Sequence, residues 1–540
     1  MATNLFAEIF KPERDARVAV MFEQREITYG ELRTLTLETV EKLNALNLRA
    51  GDRVAILLND SPEFIASFVA VISLGAIAVP INMALRKSEQ MIILKDCGAR
   101  AVIVENQAAP SLFGEENQAD ADLKLLVVRR DGETDLPVSN INVTRFDDAE
   151  RRPLGSGLPK GGSTDTDAFI LYTSGSTGEP KGAVHSQSDI FYTNETFCQE
   201  VLRLREGDRL FSSSRLPFAY GLGNAFTFPL LNGFTTILCR EKPTPEVVSS
   251  IFRDYRPTIF FGVPVVYRML LEHHRVGVRV PISVGSSADI SPTEVGTLNT
   301  SSLRLCVSAG EALPAKLGED WQQTFGVEVL DGIGSTEMLH MFISNHAGEA
   351  RYGSSGRLVN GYDAKLIDHE GAPVAPGAEG NLWIRGASAA SRYWQRPETS
   401  AHTFVEGWVR TGDLYRQDAD GFWWHMGRSD DCFKPTGQWV SPVEVEGVLL
   451  KSDKIRAAAV VEGLDKDNLS CVCAFIVRAN ENEGEETVEQ TLRTLCETDL
   501  PRFKQPRRYI FVSELPYTAT GKVQRFKLRE QLRAQAATKT

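Results

Sequence analysis

The sequence has few of the features that mark disulfide-rich or zinc-binding proteins. Only eight of its 540 residues are cysteine, and no two of them form a Cys-x-x-Cys pair. Cys471 and Cys473 are the closest pair, and they share one face of a predicted strand. His273 and His274 have no partners at ligand spacing, so we expect no metal cage made of protein ligands. Free thiols fit a reducing compartment, and we expect a cytoplasmic protein.

An export signal and an uninterrupted membrane span are also missing. The first eight residues contain neither a basic start nor a long apolar core, so no signal peptide is expected. Residues 64–85 carry no charge and are long enough to cross a bilayer. Gly75, Pro80 and Asn82 interrupt this run. We interpret it as an apolar helix followed by a strand, because α/β proteins bury such runs.

A general excess of basic residues is lacking too. The net charge is −12, which argues against a general nucleic-acid-binding protein. Residues 501–540 are the exception, with ten lysines and arginines against two acidic residues. This basic segment is either a solvated helix face or a surface that meets phosphates.

The bulk composition predicts a soluble protein of more than one domain. Hydrophobic residues make up 42% and charged residues 24%, and 540 residues are too many for one ordinary core. Strand and helix patterns alternate, which indicates right-handed crossovers and a mostly parallel sheet. The first predicted elements are strands at 54–58, 76–80 and 101–104 and helices at 62–74 and 87–97. After two polar connections, 106–122 and 145–167, come strands at 209–213, 234–239, 258–262, 303–307 and 327–330 and helices at 244–254, 264–275 and 314–325.

The pattern changes near residue 355. Short strands with turn signals predict a small β-rich subdomain there. A compact last segment begins at 427–431, with about 110 residues, which suffices for a small domain. Its predicted order is a strand, a helix (443–451), strands (455–462 and 471–477), a helix (487–497), a strand (508–512) and a basic helix. We place the boundary near Asp430, dividing the chain into 1–429 and 430–540.

A stretch rich in glycine and hydroxyl groups, residues 171–182, follows the apolar strand at 168–172. It reads Leu-Tyr-Thr-Ser-Gly-Ser-Thr-Gly-Glu-Pro-Lys-Gly. Glycine lets backbone N–H groups approach an anion closely, and Lys181 adds a positive charge, so the pattern indicates a polyphosphate site. The order differs from the common P-loop because Gly182 follows the lysine. Composition alone leaves a flexible surface loop as the alternative.

A second block, Asp-Gly-Ile-Gly-Ser-Thr-Glu at 331–337, follows a predicted strand. Open α/β sheets bind ligands at this edge. Thr336 offers a hydroxyl group, and Glu337 offers the hard oxygen that Mg²⁺ takes in phosphate sites. The alternative is a plain helix start, capped by Ser335 or Thr336.

Three further blocks carry charged or small residues that fit a nucleotide. They are 308–314 (Ser-Ala-Gly-Glu-Ala-Leu-Pro), 410–414 (Arg-Thr-Gly-Asp-Leu) with 427–430 (Gly-Arg-Ser-Asp), and 516–525 around Gly521-Lys522. Asp413 is a suitable acceptor for two ribose hydroxyls. Taken alone, Arg428 and Asp430 fit a surface ion pair, and Lys522 fits a solvated lysine.

Together the five blocks resemble the adenylate-forming (ANL) superfamily of acyl-CoA synthetases, luciferases and adenylation domains of peptide synthetases. The resemblance covers nearly the whole chain. It implies an α/β fold: a large N-terminal domain of mixed and parallel sheets flanked by helices, the β-rich subdomain at about 355–429, and a small mobile α+β C-terminal lid. It also implies that residues 1–429 bind AMP and the acyl substrate, and that ATP, Mg²⁺ and coenzyme A take part.

The resemblance assigns a role to each matching residue. Lys522 is implied to be the catalytic lysine, meeting the acyl carboxylate and the α-phosphate, while Thr336 contacts the α-phosphate and Glu337 the magnesium ion. The implied nucleotide-binding residues are Thr173, Ser174, Gly175, Ser176, Thr177, Gly178, Lys181, Ser308, Ala309, Gly310, Glu311, Asp331, Gly332, Ile333, Asp413 and Arg428. Asp331 is implied to meet the adenine amino group through its backbone or its side chain. Ile333 is a departure, because the superfamily has an aromatic residue along adenine there.

Within the superfamily the blocks are most similar to the benzoate/4-hydroxybenzoate-CoA ligase branch. Residues 218–224 pair flat aromatics with small residues, which can form a narrow slot for a ring, although Phe218 and Tyr220 also fit an ordinary core. A histidine at the pocket edge could bond a ring hydroxyl. The resemblance assigns the substrate pocket to Ala219, Tyr220, Gly334, His340, Met341 and Ile333.

The same resemblance implies a two-step reaction with a moving lid. After aroyl-AMP forms, the C-terminal domain swings about the hinge Asp430, Lys522 leaves, and Gly437 lines the coenzyme A channel. The expected partners are a small aromatic carboxylic acid, ATP and CoA, with no nucleic acid or membrane. We further expect a monomer or homodimer and a possible acetyltransferase/deacetylase pair acting on Lys522, since acylation removes its charge.

Other functions stay open at this point. The chain could activate another small acid, such as aminobenzoate, cyclohexanecarboxylate or a short or medium fatty acid, or it could be a non-catalytic nucleotide-binding relative. A phosphotransferase or ATPase would release ADP instead of AMP. A peptide-synthetase module is disfavoured, because residues 218–223 offer no carboxylate for a substrate ammonium and no carrier domain follows residue 540.

Overall fold

The computed structural model describes residues 4–113, 123–128, 142–145, 164–174, 180–279, 298–435, 438, 440–465, 469–517 and 523–537. The strands in this part of the chain are β1 (Val18–Phe22), β2 (Arg25–Thr28), β3 (Arg53–Leu57), β4 (Ile77–Pro80), β5 (Ala101–Glu105), β6 (Lys124–Val128), β7 (Asn142–Arg145), β8 (Asp167–Ser174), β9 (Pro180–Ser186), β10 (Arg209–Ser212), β11 (Thr235–Ile237), β12 (Ile259–Gly262), β13 (Leu305–Ser308), β14 (Val329–Gly334), β15 (Met341–Ser344), β16 (Arg357–Leu358), β17 (Asp363–Ile367), β18 (Glu379–Arg385), β19 (Arg392–Tyr393), β20 (Phe404–Val405), β21 (Trp408–Gln417), β22 (Trp423–Arg428), β23 (Ile455–Leu464), β24 (Ser470–Arg478) and β25 (Arg508–Phe511).

Helices connect most of these strands. They are α1 (Leu5–Ile9), α2 (Tyr29–Ala45), α3 (Pro62–Ser73), α4 (Lys87–Cys97), α5 (Ala109–Phe113), α6 (Gln187–Thr193), α7 (Ala219–Leu222), α8 (Phe228–Leu231), α9 (Pro245–Asp254), α10 (Pro264–Arg279), α11 (Ala315–Phe325), α12 (Pro397–Thr403), α13 (Pro442–Leu449), α14 (Glu485–Asp499) and α15 (Arg525–Ala537). Wider π-helical turns at Asn194–Leu202 and Gly223–Thr227 and short 3₁₀ turns at Pro12–Arg14 and Thr336–Met338 complete the set.

Two large sheets form the N-terminal part. Among the described residues one sheet has eight strands in the order β19-β9-β8-β4-β3-β5-β6-β7, and the other has nine in the order β16-β15-β14-β13-β12-β10-β11-β1-β2. Most neighbouring strands are parallel, whereas β8 and β9 form an antiparallel pair. The predicted α/β class with mixed and parallel sheets is confirmed.

The charge-free run at 64–85 lies in the core between these sheets. Helix α3 is buried along its length, and Ser61 accepts the Phe64 N–H at its start, with Pro62 in the first turn. A core cluster joins Val20 of β1, Phe68 of α3 and Phe169 of β8. The predicted helix followed by a strand is confirmed. No helix in the described ranges is both long and apolar enough to cross a membrane.

The last part of the chain has the predicted β-rich and α+β segments. Strands β17, β18, β20, β21 and β22 form an antiparallel sheet, and β23, β24 and β25 form a second small sheet with α13, α14 and α15. Two apolar clusters pack against the second sheet. The domain boundary at Asp430 stays a prediction.

Two sequence predictions differ from the structure. The connection predicted at 106–122 contains helix α5, because Ala109, Leu112 and Phe113 are buried and hold this turn against the sheet. The strand predicted at the start of the last segment falls partly on residues 436, 437 and 439, which lie outside the described residues. In the described residues there, Phe433 and Val440 form only a single β-bridge.

Candidate active site

The phosphate stretch lies at the end of the β8–β9 hairpin. Thr173 pairs with Lys181 and Ser174 with Pro180, so the last residues of β8 lie beside the first residues of β9. Lys181 Nζ is 6.0 Å from the centroid of the Tyr393 ring, which belongs to the neighbouring strand β19. Gly175, Ser176, Thr177 and Gly178 lie outside the described residues, as does the side chain of Ser174.

Tyr393 connects this hairpin to the second predicted block. Its hydroxyl donates a hydrogen bond of 2.7 Å to Oε1 of Glu337, and burial raises the pKa of Tyr393. The Ala390 N–H donates to the backbone oxygen of Glu337 at 2.7 Å. Glu337 is therefore fixed by both its side chain and its backbone. Tyr393 connects these two predicted residues, because its hydroxyl contacts Glu337 and its ring lies near Lys181.

His185 holds the neighbouring residue, Thr336. Its Nε2 lies 2.8 Å from the backbone oxygen of Thr336, and its Nδ1 lies 2.7 Å from Oδ2 of Asp189. The two contacts connect β9, the first turn of α6 and the 3₁₀ turn at Thr336–Met338. Ser335 caps that turn, since its hydroxyl accepts the Met338 N–H at 3.2 Å. Ser335 therefore caps a helical turn, as one reading of this block predicted. The block also lies at the end of strand β14, as the other reading predicted.

Asp331 lies beneath the predicted adenine loop. It is 2% exposed, its Oδ2 accepts the Leu313 N–H at 3.2 Å, and its Oδ1 has no hydrogen-bond partner among the described residues. Burial raises the pKa of Asp331 to about 8. The Asp331 backbone oxygen already accepts two hydrogen bonds from Asn345, one from its N–H at 2.9 Å and one from its side-chain amide at 3.0 Å.

The other residues of the predicted adenine loop surround Asp331. Ser308 pairs with it across β13 and β14, and its buried hydroxyl has no hydrogen-bond partner in the described structure. Ala309 is buried, whereas Gly310 is exposed and adopts φ +94°, a left-handed conformation that favours glycine. Glu311 is half-buried. Gly332 approaches Ile343 so closely that a Cβ there would lie 2.4 Å from its backbone oxygen.

The predicted ribose residues are neighbours. Asp413 and Arg428 pair across β21 and β22, with 3.5 Å between Oδ1 and NH1. Nε2 of His425 is 3.6 Å from the same oxygen. Arg428 also donates to the Thr411 backbone oxygen at 3.0 Å and lies 3.4 Å from Asp430, so the proposed hinge residue contacts the ribose arginine.

The predicted ring pocket is a cluster of aromatic side chains around His340. The ring centroids of Tyr220, Phe197 and Phe228 are 5.7, 4.6 and 4.7 Å from that of His340. His340 is 3% exposed, and burial lowers its pKa to about 3, so it is neutral in the working range. Its Nε2 meets Oδ1 of Asn224 at 3.1 Å.

Small residues shape the pocket. A Cβ at Gly334 would lie 2.5 Å from the backbone oxygen of His340, and one at Gly223 would lie 2.6 Å from the His340 ring. Ala219 and Met341 are 8% and 1% exposed, and Ile333 is half-buried in the same core cluster as Met341. Tyr220, Ile333 and Met341 therefore belong to one cluster and Gly334 approaches His340, whereas Ala219 belongs to the neighbouring cluster.

The residues present fit a magnesium ion only together with phosphate ligands. No group of three or more acidic, cysteine or histidine side chains in the described ranges could hold a metal. Glu337 supplies one carboxylate, which is the usual protein share of a Mg²⁺ site completed by substrate phosphates.

Several functional candidates escaped the sequence analysis. Tyr393, His185 and Asn224 contact predicted site residues that are 56, 151 and 116 positions away, respectively, and Asp189 contacts His185. One signal was available for His185: strand alternation places it on the same face of β9 as Lys181. Lys522 and Gly437 lie outside the described residues; Tyr517 and Val523, which flank the segment of Lys522, form a β-bridge.

The comparisons with known proteins agree with this geometry. Benzoate–CoA ligase of Thauera aromatica is 39% identical over 98% of this chain and 95% of its own length. The 4-hydroxybenzoate–CoA/benzoate–CoA ligase of Rhodopseudomonas palustris is 34% identical over 96% of this chain and 91% of its own length. A crystal structure of the anthranilate CoA ligase AuaEII in complex with anthranoyl-AMP is 36% identical, with a TM-score of 0.88 and coverage of 99% and 98%.

A benzoate CoA ligase from Burkholderia xenovorans LB400 is 35% identical, with a TM-score of 0.83 over 98% of this chain and 100% of that one. The family of AMP-binding enzymes matches residues 10–394, and the C-terminal domain of AMP-binding enzymes matches residues 444–522. The chain belongs to the AMP-binding enzyme family.

Proposed function

We propose that the protein is an ATP-dependent aryl-CoA ligase that converts benzoate or a hydroxybenzoate to its CoA thioester through an aroyl-AMP, releasing AMP and pyrophosphate. The observation that carries this proposal is the position of His340. It is neutral, lies among aromatic rings, and follows Glu337 by three residues. The aromatic cluster that would bound a slot for a flat ring therefore follows the Glu337 turn directly in the sequence.

The relatives support the substrate class. Their names cover benzoate, 3-hydroxybenzoate, 4-hydroxybenzoate and anthranilate, all of which are a carboxylate on an aromatic ring. Anthranilate is the second candidate substrate, because the similar solved structure with a TM-score of 0.88 is an anthranilate CoA ligase. An apolar, neutral slot suits an uncharged ring and does not favour a second charged group.

In the proposed first step, a carboxylate oxygen attacks the α-phosphorus of ATP, and the bond from that phosphorus to the bridging oxygen breaks to release pyrophosphate. The nucleophile is already ionised, so no general base is needed and catalysis consists of positioning and charge neutralisation. Lys181 would hold the departing phosphates, and Thr336 the α-phosphate. Mg²⁺ carried by ATP, held by Glu337, would neutralise phosphate charge.

In the second step, the CoA sulfur attacks the carbonyl carbon, the thiol proton is lost to solvent, and AMP leaves with the former carboxylate oxygen. The C-terminal domain is proposed to adopt two positions. In the first step it brings Lys522 to the site, and in the second step Gly437 lines the thiol channel instead. Asp430 is the proposed hinge, and its contact with Arg428 at 3.4 Å places it beside the ribose residues. The basic segment 501–540 would attract the phosphates of CoA.

Setting and regulation are further parts of the proposal. The eight cysteines are free, which fits the cytoplasm. A monomer or homodimer and reversible acylation of Lys522 remain expectations. Acylation would stop the first step by removing the charge of the lysine.

The proposal is tested by measuring AMP and CoA-thioester formation with MgATP, CoA and a panel of acids. We expect benzoate, 3- and 4-hydroxybenzoate and 2-aminobenzoate to give equal amounts of AMP and thioester. Cyclohexanecarboxylate and hexanoate, which lack a flat ring, are the controls and should be poorer by kcat/KM. A preference for hexanoate would overturn the aryl assignment, and absence of AMP with every acid would favour a non-catalytic nucleotide-binding relative.

A further inference from the structure

His185 is the only histidine in the described residues whose two ring nitrogens both meet hydrogen-bond acceptors of other residues at under 3.0 Å. Nε2 lies 2.8 Å from the Thr336 backbone oxygen and Nδ1 lies 2.7 Å from Oδ2 of Asp189. The side chain has 0% exposure, and its ring stacks on Phe169, with 5.2 Å between centroids and 16° between planes. This ring has one fixed orientation.

The contact with Thr336 determines that Nε2 of His185 is a donor. A backbone oxygen only accepts, so Nε2 must bear a proton. The Asp189 carboxylate also accepts hydrogen bonds from Ser186, at 3.2 Å from its N–H and 2.6 Å from its hydroxyl. Asp189 is thus held by two donors of Ser186 as well as by the His185 ring, and the ring donates its Nε2–H to the Thr336 oxygen.

The turn that receives this hydrogen bond is short and is followed by a residue in an unfavourable backbone conformation. Thr336–Met338 is a single 3₁₀ turn, and it is followed by Leu339 at φ +63°, a conformation that is unfavourable for a residue other than glycine. Its anchors to the rest of the fold include His185 at the Thr336 oxygen, the Ala390 N–H at the Glu337 oxygen and Tyr393 at the Glu337 carboxylate. The His185 anchor comes from the strand that carries Lys181.

We propose that His185 is a positioning residue for adenylate formation. It holds Thr336 and Glu337 against β9, so that the group contacting the α-phosphate and the group contacting the metal keep a fixed distance from Lys181. Asp189 orients the ring through its contact with Nδ1. This inference rests on the proposed function for the identity of the reaction, but the contacts themselves involve no substrate.

Two substitutions separate the two hydrogen bonds. In His185→Gln the side-chain amide can take the place of Nε2–H and reach the Thr336 oxygen. In His185→Asn the amide can take only the place of Nδ1–H and reach Asp189. Both variants remove the same buried ring, so a purely structural role would affect them alike. Unfolding midpoints of both proteins serve as the control for folding.

The first readout compares the two half-reactions. We expect His185→Asn to lower the rate of benzoate-dependent pyrophosphate–ATP exchange about 10- to 100-fold, the range for leaving one partly buried acceptor without its donor. The KM for benzoate and the rate of thioester formation from supplied benzoyl-AMP should stay within about threefold of wild type. His185→Gln should recover the exchange rate to within about threefold of wild type. Equal losses in the two variants, or equal losses in both half-reactions, would overturn the proposal.

The second readout does not depend on turnover. Calorimetric titration with MgATP should show affinity weakened about tenfold in His185→Asn and little changed in His185→Gln. If wild type shows no exchange with any aryl acid, the proposed function fails, while this titration still decides the role of His185. Identical affinities in wild type and both variants would then refute the positioning role.

Discussion

Replacing Asp331 by asparagine should remove a pH-dependent loss of stability. Asp331 is buried under the predicted adenine loop, and burial raises its pKa from 3.8 to about 8. The folded state therefore retains a proton that the unfolded chain releases above pH 3.8. The stability that this group contributes is fully present below pH 3.8 and is lost as the pH rises through about 8.

The magnitude follows from this difference in pKa. Each pH unit between the unfolded and folded pKa values costs about 1.4 kcal/mol, so wild type should lose about 4 kcal/mol from this residue between pH 5 and pH 8. Asparagine has the shape of the protonated acid and keeps an oxygen for the Leu313 N–H. Asp331→Asn should therefore gain stability relative to wild type by this amount over the same range.

The assay is urea unfolding at pH 5, 6, 7 and 8, followed by tryptophan fluorescence, for wild type, Asp331→Asn and a control. Asp254→Asn is the matched control, because this carboxylate is 50% exposed and forms a surface pair with Arg253. This variant removes one formal negative charge at the surface and so reports the effect of net charge alone. If the difference in unfolding free energy between Asp331→Asn and wild type stays constant from pH 5 to pH 8, Asp331 is not a buried, protonated acid.

Two further substitutions test the proposed site. Tyr393→Phe removes the hydroxyl that donates to Glu337 at 2.7 Å. In steady-state AMP release we therefore expect the KM for MgATP to rise about tenfold and the KM for benzoate to stay unchanged. An unchanged KM for MgATP would contradict the role of this contact. Lys522→Ala should abolish adenylation and leave thioester formation from supplied benzoyl-AMP largely intact, measured as the two half-reactions. Asp430→Pro should show the reverse defect, and normal turnover by that variant would exclude a hinge at this position.

The fold was largely predictable because its signal is local. Hydrophobic runs and their spacing indicated α3, β4 and helix α4, whose predicted bounds, 87–97, match those observed. The short helix α5 was missed because its burial depends on the sheet beneath it, and the strand predicted near 430 was reduced to one bridge. These are tertiary effects that a short sequence window does not contain.

The sequence motifs predicted individual site residues, which stay predictions, but they did not predict the contacts of these residues. The motifs indicated Glu337, Asp413 and His340, and the structure adds their partners, such as Tyr393 and Asn224. These partners come from other strands and helices, so no spacing rule connects them to the motifs. The raised pKa of Asp331 was likewise invisible in the sequence, because it arises from burial and not from a neighbouring charge.

The central claim is that the acid's own oxygen attacks the α-phosphorus of ATP. It is tested most directly with benzoate labelled with ¹⁸O in both carboxylate oxygens, incubated with MgATP and CoA, followed by mass spectrometry of the nucleotide and phosphate products. The proposed mechanism predicts one ¹⁸O atom in AMP, one in the thioester and none in pyrophosphate. Appearance of ¹⁸O in orthophosphate together with ADP would contradict it, because the acid would then have attacked the γ-phosphorus.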